Sequence, residues 1–225
     1  MNKYFLTAFL IPLLFVSGGA YAEKQPQTDQ EKFSYAVGVQ LAQNVFHQQL
    51  KIDNESFLQG ISDMLNRKEL KVSMEEMKRV IVAYREEEIK HQQQEAATNK
   101  EAGEKFLAEN KKDKDVVELA SGLQYKVLKQ GTGKKPTLTD TITVNYRGTL
   151  IDGTEFDSSY KRGEPVSLQL KNVIKGWQEA VPLMPVGSKW RLFVPPSLAY
   201  GDKAAGPVIG PNSTLLFDVE LLSIE

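Results

Sequence analysis

The first half of the chain spaces its hydrophobic residues as helices do. Thr28 and Glu31 form the pattern of a capping box, which predicts a helix start at this point. The apolar residues that follow recur at steps of four and would form one stripe, comprising Phe33, Val37, Leu41 and Val45. A second helix is predicted over residues 53–66. Because no proline occurs between residues 28 and 114, we expect this half to be entirely helical.

A third predicted helix changes character along its length. It begins with the capping-box pair Ser73 and Glu76 and carries an apolar stripe as far as Tyr84. Residues 89–115 are mostly polar, and a long helix that is polar on all sides is typical of a solvated spacer. The third helix is therefore expected to leave any helical core and to run on as a stalk.

The apolar stripes of the helical half are larger than one short helical hairpin can cover, which favours a partner chain as the cover. We therefore interpret residues 23–90 as a dimerisation module and residues 91–115 as a helical stalk or linker. An intramolecular three-helix bundle without a partner is the alternative.

From Val116 onward the hydrophobic period changes from helical to two, which predicts strands. Five alternating segments are present, centred on Tyr125, Val144, Leu168, Leu192 and Val219. Asp152-Gly153 predicts a tight turn between two strands, and only residues 172–180 resemble a short helix. The expected fold class is α+β: a helical N-terminal half, then a five-stranded antiparallel curved sheet, a half-barrel, around one short helix in residues 116–225.

The N-terminus has the pattern of a secretory signal peptide. Lys3 supplies a positive charge, residues 5–16 are an apolar run, and Ala20-Tyr21-Ala22 has the small-x-small form of a cleavage site. A membrane-anchoring helix is the alternative, but the apolar run is shorter than the ~20 residues needed to span a bilayer. We expect cleavage after Ala22, and hence an exported protein located in the periplasm or associated with the outer membrane.

Composition removes several classes of function. The 28 basic and 29 acidic residues nearly balance, so no net field favours nucleic acid. The absence of cysteine excludes disulfides and thiol catalysis. The only two histidines, His47 and His91, lie far apart in polar helical stretches, so neither a metal nor another cofactor is expected.

Four segments of the second half resemble the FKBP-type peptidyl-prolyl cis/trans isomerases. They are TVNYRGTLIDGTEFDSS (143–159), VIKGW (173–177), LAYG (198–201) and TLLFDVELLSIE (214–225). Upstream, FSYAVGVQLAQNV (33–45) and IDNESFLQGISDML (52–65) are similar to the helical N-terminal module of the exported Mip and FkpA group, which dimerises through intertwined helices. The resemblance implies a catalytic domain over 116–225 and a homodimer.

The resemblance also implies a site. Trp177 would be the floor beneath the substrate proline, and the sides would be Tyr146, Phe156, Phe217, Val173 and Ile209. Tyr200 and the backbone N–H of Ile174 would donate hydrogen bonds to substrate carbonyls. Asp157 would lie at the rim near Arg162 and Tyr146. Without the resemblance, the strand aromatics would be read as ordinary core and Asp157 as a turn residue.

Two departures from the family pattern bear on specificity. Val166 follows Glu164-Pro165 where cytosolic eukaryotic relatives usually have phenylalanine, which is expected to open one wall of the site. Gly210 stands where proline is frequent. Both changes are expected to alter macrolide inhibitor affinity and preference for the residue before proline.

The expected function is isomerisation of X–Pro bonds in unfolded or partly folded exported polypeptides. Such a reaction needs no nucleophile or metal, because an apolar cavity that favours the twisted amide over the planar one is sufficient. The alternative is a dimeric holdase chaperone whose isomerase activity is weak or secondary. A coiled-coil adaptor is disfavoured because the stalk lacks sustained heptads.

Overall fold

The computed structural model describes residues 25–48 and 50–225. The predicted signal peptide, residues 1–22, lies outside the described residues. The chain divides into two compact units, one that ends at Lys51 and a second from Ile52 to Glu225. The first contains helix α1 (Asp29–His47), and the second contains α2 (Asn54–Leu65), α3 (Met74–Asn110) and the whole sheet.

Each long helix begins at a residue whose side chain accepts a backbone N–H. At α1 the predicted capping box is present, since the Glu31 N–H donates to Thr28 Oγ1 at 3.2 Å and the Thr28 N–H donates to Glu31 Oε2 at 3.0 Å. At α3 the Glu76 N–H donates to Ser73 Oγ at 3.1 Å. These caps satisfy donors that a helix start otherwise leaves unpaired. The predicted starts of α1 and α3 are therefore confirmed.

The helical part leaves most of its apolar side chains exposed in the single chain. No residue of α1 is buried, and Phe33 is 65% exposed. Leu65 at the end of α2 is 79% exposed. α3 continues without a break through residue 90, so no structural feature marks the predicted boundary there, and the domain bounds stay a prediction. Within the described residues, no helix combines the length and apolar character that crossing a bilayer requires.

The second half forms one antiparallel sheet, so the predicted α+β class is confirmed. Its strands are β1 (Val116–Glu118), β2 (Gln124–Lys129), β3 (Thr141–Leu150), β4 (Glu155–Ser158), β5 (Val166–Gln169), β6 (Lys189–Val194) and β7 (Leu215–Ile224). The order is β1-β2-β6-β7-β3-β4, and β5 pairs with β3 beside β4. Five of these were predicted, and the three-residue β1 and the four-residue β4 complete the sheet.

Short helices fill the connections between strands. They are α4 (Ser159–Arg162), α5 (Lys175–Ala180) and single 3-10 turns at Leu170–Asn172, Val181–Leu183 and Pro196–Leu198. α5 lies in the segment that was predicted to be helical. Because alternate strand residues face the same side, the sheet gathers its apolar face over α5, and this gives the hydrophobic core.

The last turns of α3 are attached to the sheet. Gln124 on β2 is fully buried, and its Nε2 donates to the Leu107 carbonyl at 2.9 Å while its Oε1 accepts from Asn110 Nδ2 at 2.8 Å. The rings of Phe106 and Phe193 lie 6.0 Å apart. A buried amide whose donor and acceptor are both satisfied fixes the orientation of the helix end on the sheet.

Candidate active site

Three aromatic rings meet where α5 packs against the sheet. Trp177, only 3% exposed, lies between Tyr146 of β3 and Phe217 of β7, with both ring centroids 5.4 Å from its own. The interplanar angles are 89° and 86°. Edge-to-face contacts of this kind are favoured by the ring quadrupoles. The result is an apolar floor of fixed geometry.

Two glycines allow these rings to approach. Gly176 precedes Trp177, and a Cβ there would lie 2.5 Å from Val194 Cγ1, so only glycine lets α5 lie this close to β6. Gly148 on β3 is opposite Asp157 of β4 and Phe217 of β7. A Cβ at 148 would lie 2.5 Å from Phe156 Cε2, so the Phe156 ring occupies the space above Gly148. Neither glycine was among the predicted site residues.

These rings border a cavity of about 650 Å³, which we call the aromatic cavity. Its lining comprises Tyr146, Phe156, Asp157, Leu168, Asn172, Val173, Ile174, Trp177, Ala199, Tyr200, Ala205, Gly206, Pro207, Val208, Ile209 and Phe217. Most of these side chains are apolar. A cavity of this size and character suits a small apolar ring with the peptide groups that flank it.

Asp157 is the charged group at this cavity, and it is held from three sides. The Tyr146 hydroxyl donates to Asp157 Oδ2, and Arg162 Nη1 donates to Oδ1 at 2.5 Å. Arg162 Nη2 also donates to the Tyr146 hydroxyl at 2.8 Å, and the Ser158 N–H donates to Asp157 Oδ1 at 2.8 Å. This closed set of hydrogen bonds fixes the carboxylate and the Tyr146 ring together.

The electrostatics of this cluster keep Asp157 ionised. Burial raises the pKa of the Asp157 carboxyl, but the hydrogen bonds from Tyr146 and Arg162 together outweigh burial and hold that pKa below its ordinary value. Burial and the hydrogen bond to the carboxylate raise the pKa of the Tyr146 hydroxyl. At neutral pH the cluster is therefore a carboxylate, a protonated phenol and a guanidinium, and nothing in it is arranged as a nucleophile with its base.

The loop between the 3-10 turn Pro196–Leu198 and β7 supplies the remaining wall. It contributes Tyr200, which is 44% exposed, and Ile209, which is buried. The Ala205 N–H donates to the Ile209 carbonyl at 2.8 Å and folds the loop back on itself. Residues 205–208 were not predicted as lining, because a loop without periodicity gives no sign of which side chains face a cavity.

The structure brings nearly all of the predicted site residues to one cavity. All of them line it except Arg162 and Val166. Arg162 is behind the lining and reaches the cavity through Asp157 and Tyr146. Val166 is paired with Val144 on β3 and packs against the core, and it is not part of the cavity lining. Leu168, two residues further along β5, lines the cavity instead. The catalytic roles assigned to these residues stay predictions.

Among residues 25–48 and 50–225, no group of three or more His, Cys, Asp or Glu side chains is placed to hold a metal ion. The aromatic cavity is an apolar enclosure with one ionised carboxylate, that of Asp157, and the Tyr146 hydroxyl at its rim.

Family models match almost the whole chain. The model described as FKBP-type peptidyl-prolyl cis-trans isomerase matches residues 132–222, which include the aromatic cavity and its rim. The model of the domain amino terminal to FKBP-type peptidyl-prolyl isomerase matches residues 30–127. The chain belongs to the FKBP-type peptidyl-prolyl cis-trans isomerases. The family resemblance drawn from the four sequence segments is thus confirmed.

Curated relatives match this FKBP-type isomerase over most of its length. A "Peptidyl-prolyl cis-trans isomerase Mip" of Coxiella burnetii is 43% identical over 227 residues, covering 99% of both chains. An "Outer membrane protein MIP" of Legionella longbeachae is 43% identical, covering 88% of this chain and 87% of the relative. An FkpA of Aeromonas hydrophila is 45% identical, covering 87% of this chain and 76% of the relative.

A solved structure agrees with the fold of the FKBP-type isomerase. The crystal structure of FkpA from Escherichia coli matches with a TM-score of 0.61 at 39% identity, covering 88% of this chain and 98% of that one. The chain is thus an enzyme of the peptidyl-prolyl cis/trans isomerase class, similar over most of its length to proteins named Mip and FkpA.

Proposed function

We propose that this isomerase accelerates X–Pro rotation by binding the twisted amide in the aromatic cavity more tightly than the planar one. The observation that carries the proposal is the crossed arrangement of Tyr146, Trp177 and Phe217 at the floor of an apolar cavity of about 650 Å³. The five-membered ring of proline would rest on the face that Trp177 and its neighbours offer.

The physical basis is the change of polarity during rotation. The barrier of ~18–20 kcal/mol arises because rotation destroys the partial double bond of the amide. The twisted amide loses resonance and charge separation, so an apolar, water-poor enclosure favours it over the planar ground state. Each ~1.4 kcal/mol of this preference multiplies the rate by ten. No covalent intermediate is required.

Two groups are proposed to orient the peptide. Ile174 is the extended N-cap residue of α5, and its carbonyl already accepts the Trp177 and Gln178 N–H groups at 3.0 and 3.1 Å. Its own N–H is proposed to donate to one substrate carbonyl. The Tyr200 hydroxyl, on the cavity wall, is proposed to donate to a second carbonyl. Such fixed donors select one peptide orientation.

Asp157 is proposed to act at the rim as a fixed negative charge. Its hydrogen bonds to Tyr146 and Arg162 hold the carboxylate in one position, and it also orients the Tyr146 ring that contacts Trp177. A preorganised charge beside the rotating amide can favour one distribution of charge over another without any reorganisation during the reaction.

The test is turnover of a short X-Pro peptide by full-length variants in a protease-coupled assay. Trp177→Leu and Asp157→Ala are each expected to lower kcat/KM by about tenfold or more, which corresponds to ~1.4 kcal/mol of lost transition-state stabilisation. Tyr160→Phe is the matched control, because this exposed tyrosine is outside the cavity lining. Full activity of both cavity variants would reject the site assignment.

A second function, a dimeric holdase that binds unfolded chains, is favoured by a separate observation. The helical part exposes large apolar side chains, among them Phe33 at 65% and Phe46 at 72%. We propose that a second copy covers part of this surface, giving the homodimer, and that the remainder holds exported polypeptides. A face this apolar is unusual on a solvent-exposed helix.

Full-length Phe33→Arg with Phe46→Arg separates the two functions. We expect a monomer by light scattering, unchanged kcat/KM on a short peptide, and reduced suppression of aggregation of an unfolded protein. If the wild type is a monomer, the dimer proposal is wrong. If the wild type is a dimer and the double variant keeps the same mass, the second copy does not cover Phe33 and Phe46. If suppression of aggregation is unchanged, the holdase proposal is wrong.

We further propose that the protein is exported to the periplasm, with association with the outer membrane as the alternative. The support is the signal-peptide pattern of residues 1–22 and the printed name of the Legionella relative, "Outer membrane protein MIP". Cell fractionation with mass spectrometry of the N-terminus tests this localisation, and a mature chain that begins at Glu23 is the expected result.

Macrolide inhibitors are proposed to compete with substrate for the aromatic cavity.

A further inference from the structure

The loop that forms one wall of the aromatic cavity is closed at both of its ends. The Asn212 N–H donates to the Gly201 carbonyl at 2.8 Å, and this bond ties the residue after Tyr200 to the segment that follows Ile209. Asn212 adopts a φ of +55°, a left-handed conformation that asparagine tolerates better than most residues. Contacts that fix the position of Asn212 therefore also fix the positions of Tyr200 and Ile209.

Helix α3 holds this closure point. Asn99 Nδ2 donates to the Pro211 carbonyl at 2.9 Å, and Asn212 Nδ2 donates to the Ala96 carbonyl at 3.4 Å. Both bonds join residues more than a hundred positions apart in sequence. They lie on the part of the chain that its polar composition predicted to be a solvated stalk.

Two glycines lie where the helix contacts the loop. A Cβ on Gly103, which is buried within α3, would lie 2.3 Å from Oγ1 of the buried Thr214. A Cβ on Gly210 would lie 2.1 Å from Glu95 Oε1. Gly210 is the residue that departs from the proline frequent in the family. The two glycines thus permit a close fit of helix and loop.

We propose that Asn99 and Gly103 are positioning residues of the isomerase site, and that α3 sets the cavity wall bearing Tyr200 and Ile209. The helix can do so because its last turns are fixed to the sheet by Gln124 and by the Phe106–Phe193 contact. The inference rests on the proposed function, since it concerns how that cavity holds its peptide.

The test compares Asn99→Asp, Gly103→Ala and the control Gln93→Ala in the full-length chain. Asn99→Asp keeps the size of the side chain but replaces the amide donor with a carboxylate that faces the Pro211 carbonyl. Gly103→Ala favours the helix by propensity but forces it away from Thr214. Gln93 is an exposed residue of the same helix.

The expected result is a rise in KM of about three- to tenfold in both variants, the size of one lost hydrogen bond, with kcat within twofold of wild type. Gln93→Ala should match the wild type. Backbone amide NMR should show displaced resonances for Ile209 and Tyr200 in both variants but not in the control.

An unchanged KM in both variants would overturn the proposal, even if their unfolding midpoints fall, because the contacts would then be structural only. The proposed function would fail if the wild type had no isomerase activity, or if Trp177→Leu and Asp157→Ala were fully active. Even then, the amide resonances of Ile209 and Tyr200 would decide whether α3 positions this wall. Undisplaced resonances would mean that it does not.

Discussion

Adding one methyl group at Gly148 should disturb the aromatic cavity. Gly148 lies in the middle of β3, paired with Asp157 on one side and Phe217 on the other. An alanine Cβ would lie 2.5 and 2.6 Å from two atoms of the Phe156 ring and 3.1 Å from Phe217 Cε1. Distances below 3.0 Å cannot be kept, so at least the Phe156 ring must move in Gly148→Ala.

The size of the effect follows from two opposing contributions. Overpacking of a well-filled site costs roughly 1–3 kcal/mol. Replacing a strand glycine by alanine returns roughly 0.5–1 kcal/mol through the lower entropy of the unfolded chain. With mid-range values of about 2 and about 0.75 kcal/mol, we expect Gly148→Ala to lower the free energy of unfolding by about 1 kcal/mol, within a range of roughly 0–2.5 kcal/mol. Half-buried Phe156 should give way before the more deeply buried Phe217.

Urea unfolding and peptide turnover measure the two consequences of Gly148→Ala. The free energy of unfolding should fall as calculated, and kcat/KM should fall because a cavity wall has moved. The double variant Gly148→Ala with Phe156→Leu removes the ring that the new Cβ meets, and it should be more stable than Gly148→Ala alone. A single variant as stable and as active as the wild type would refute the reasoning.

Two further predictions concern the polar groups. The pKa of Asp157 is lower in the folded state than in the unfolded state, where it is about 4. The contribution of Asp157 to stability is therefore present above pH about 4 and is lost as the pH falls through the lower folded-state pKa. This acid dependence of stability should be smaller in Asp157→Asn, which urea unfolding between pH 6 and pH 3 measures. Gln124→Leu should cost about 1–3 kcal/mol, because it leaves the Asn110 amide without its acceptor and removes the hydrogen bonds that Gln124 donates to the Leu107 carbonyl and to Glu118. The exposed control Gln130→Leu should cost little, and equal losses would contradict this account.

The helix starts and most strands could be predicted because their signals are local. The Thr28 capping box is complete within four residues, and Asp152-Gly153 predicted a turn at which Gly153 has a φ of +89°. β1 (VVE) and β4 (EFDS) could not be predicted, since neither carries apolar residues at alternate positions, as the equally short β5 does with Val166 and Leu168. β4 carries both Phe156 and Asp157, so the pattern alone left part of the site without an assigned element.

The site residues were predicted from the family resemblance. Residues that matter only through their neighbours in space could not be predicted in this way. Motif residues such as Trp177 are recognisable by type and spacing. Gly148 and Asn99 are not, because each matters through what lies beside it in space: a ring from a neighbouring strand, and a carbonyl of a distant loop. Val166 and Leu168 share one face of β5, and only the tertiary structure shows that Leu168 lines the cavity and Val166 does not.

The sequence by itself determined where the long helices start and which strand residues face the core. These properties depend on periods of 3.6 and 2 and on caps only a few residues long. Tertiary structure alone decided that Tyr146, Trp177 and Phe217 cross at right angles and that α3 lies against the loop of Tyr200. Those contacts join distant parts of the chain, and they form only once sheet register and helix docking have fixed each backbone in place.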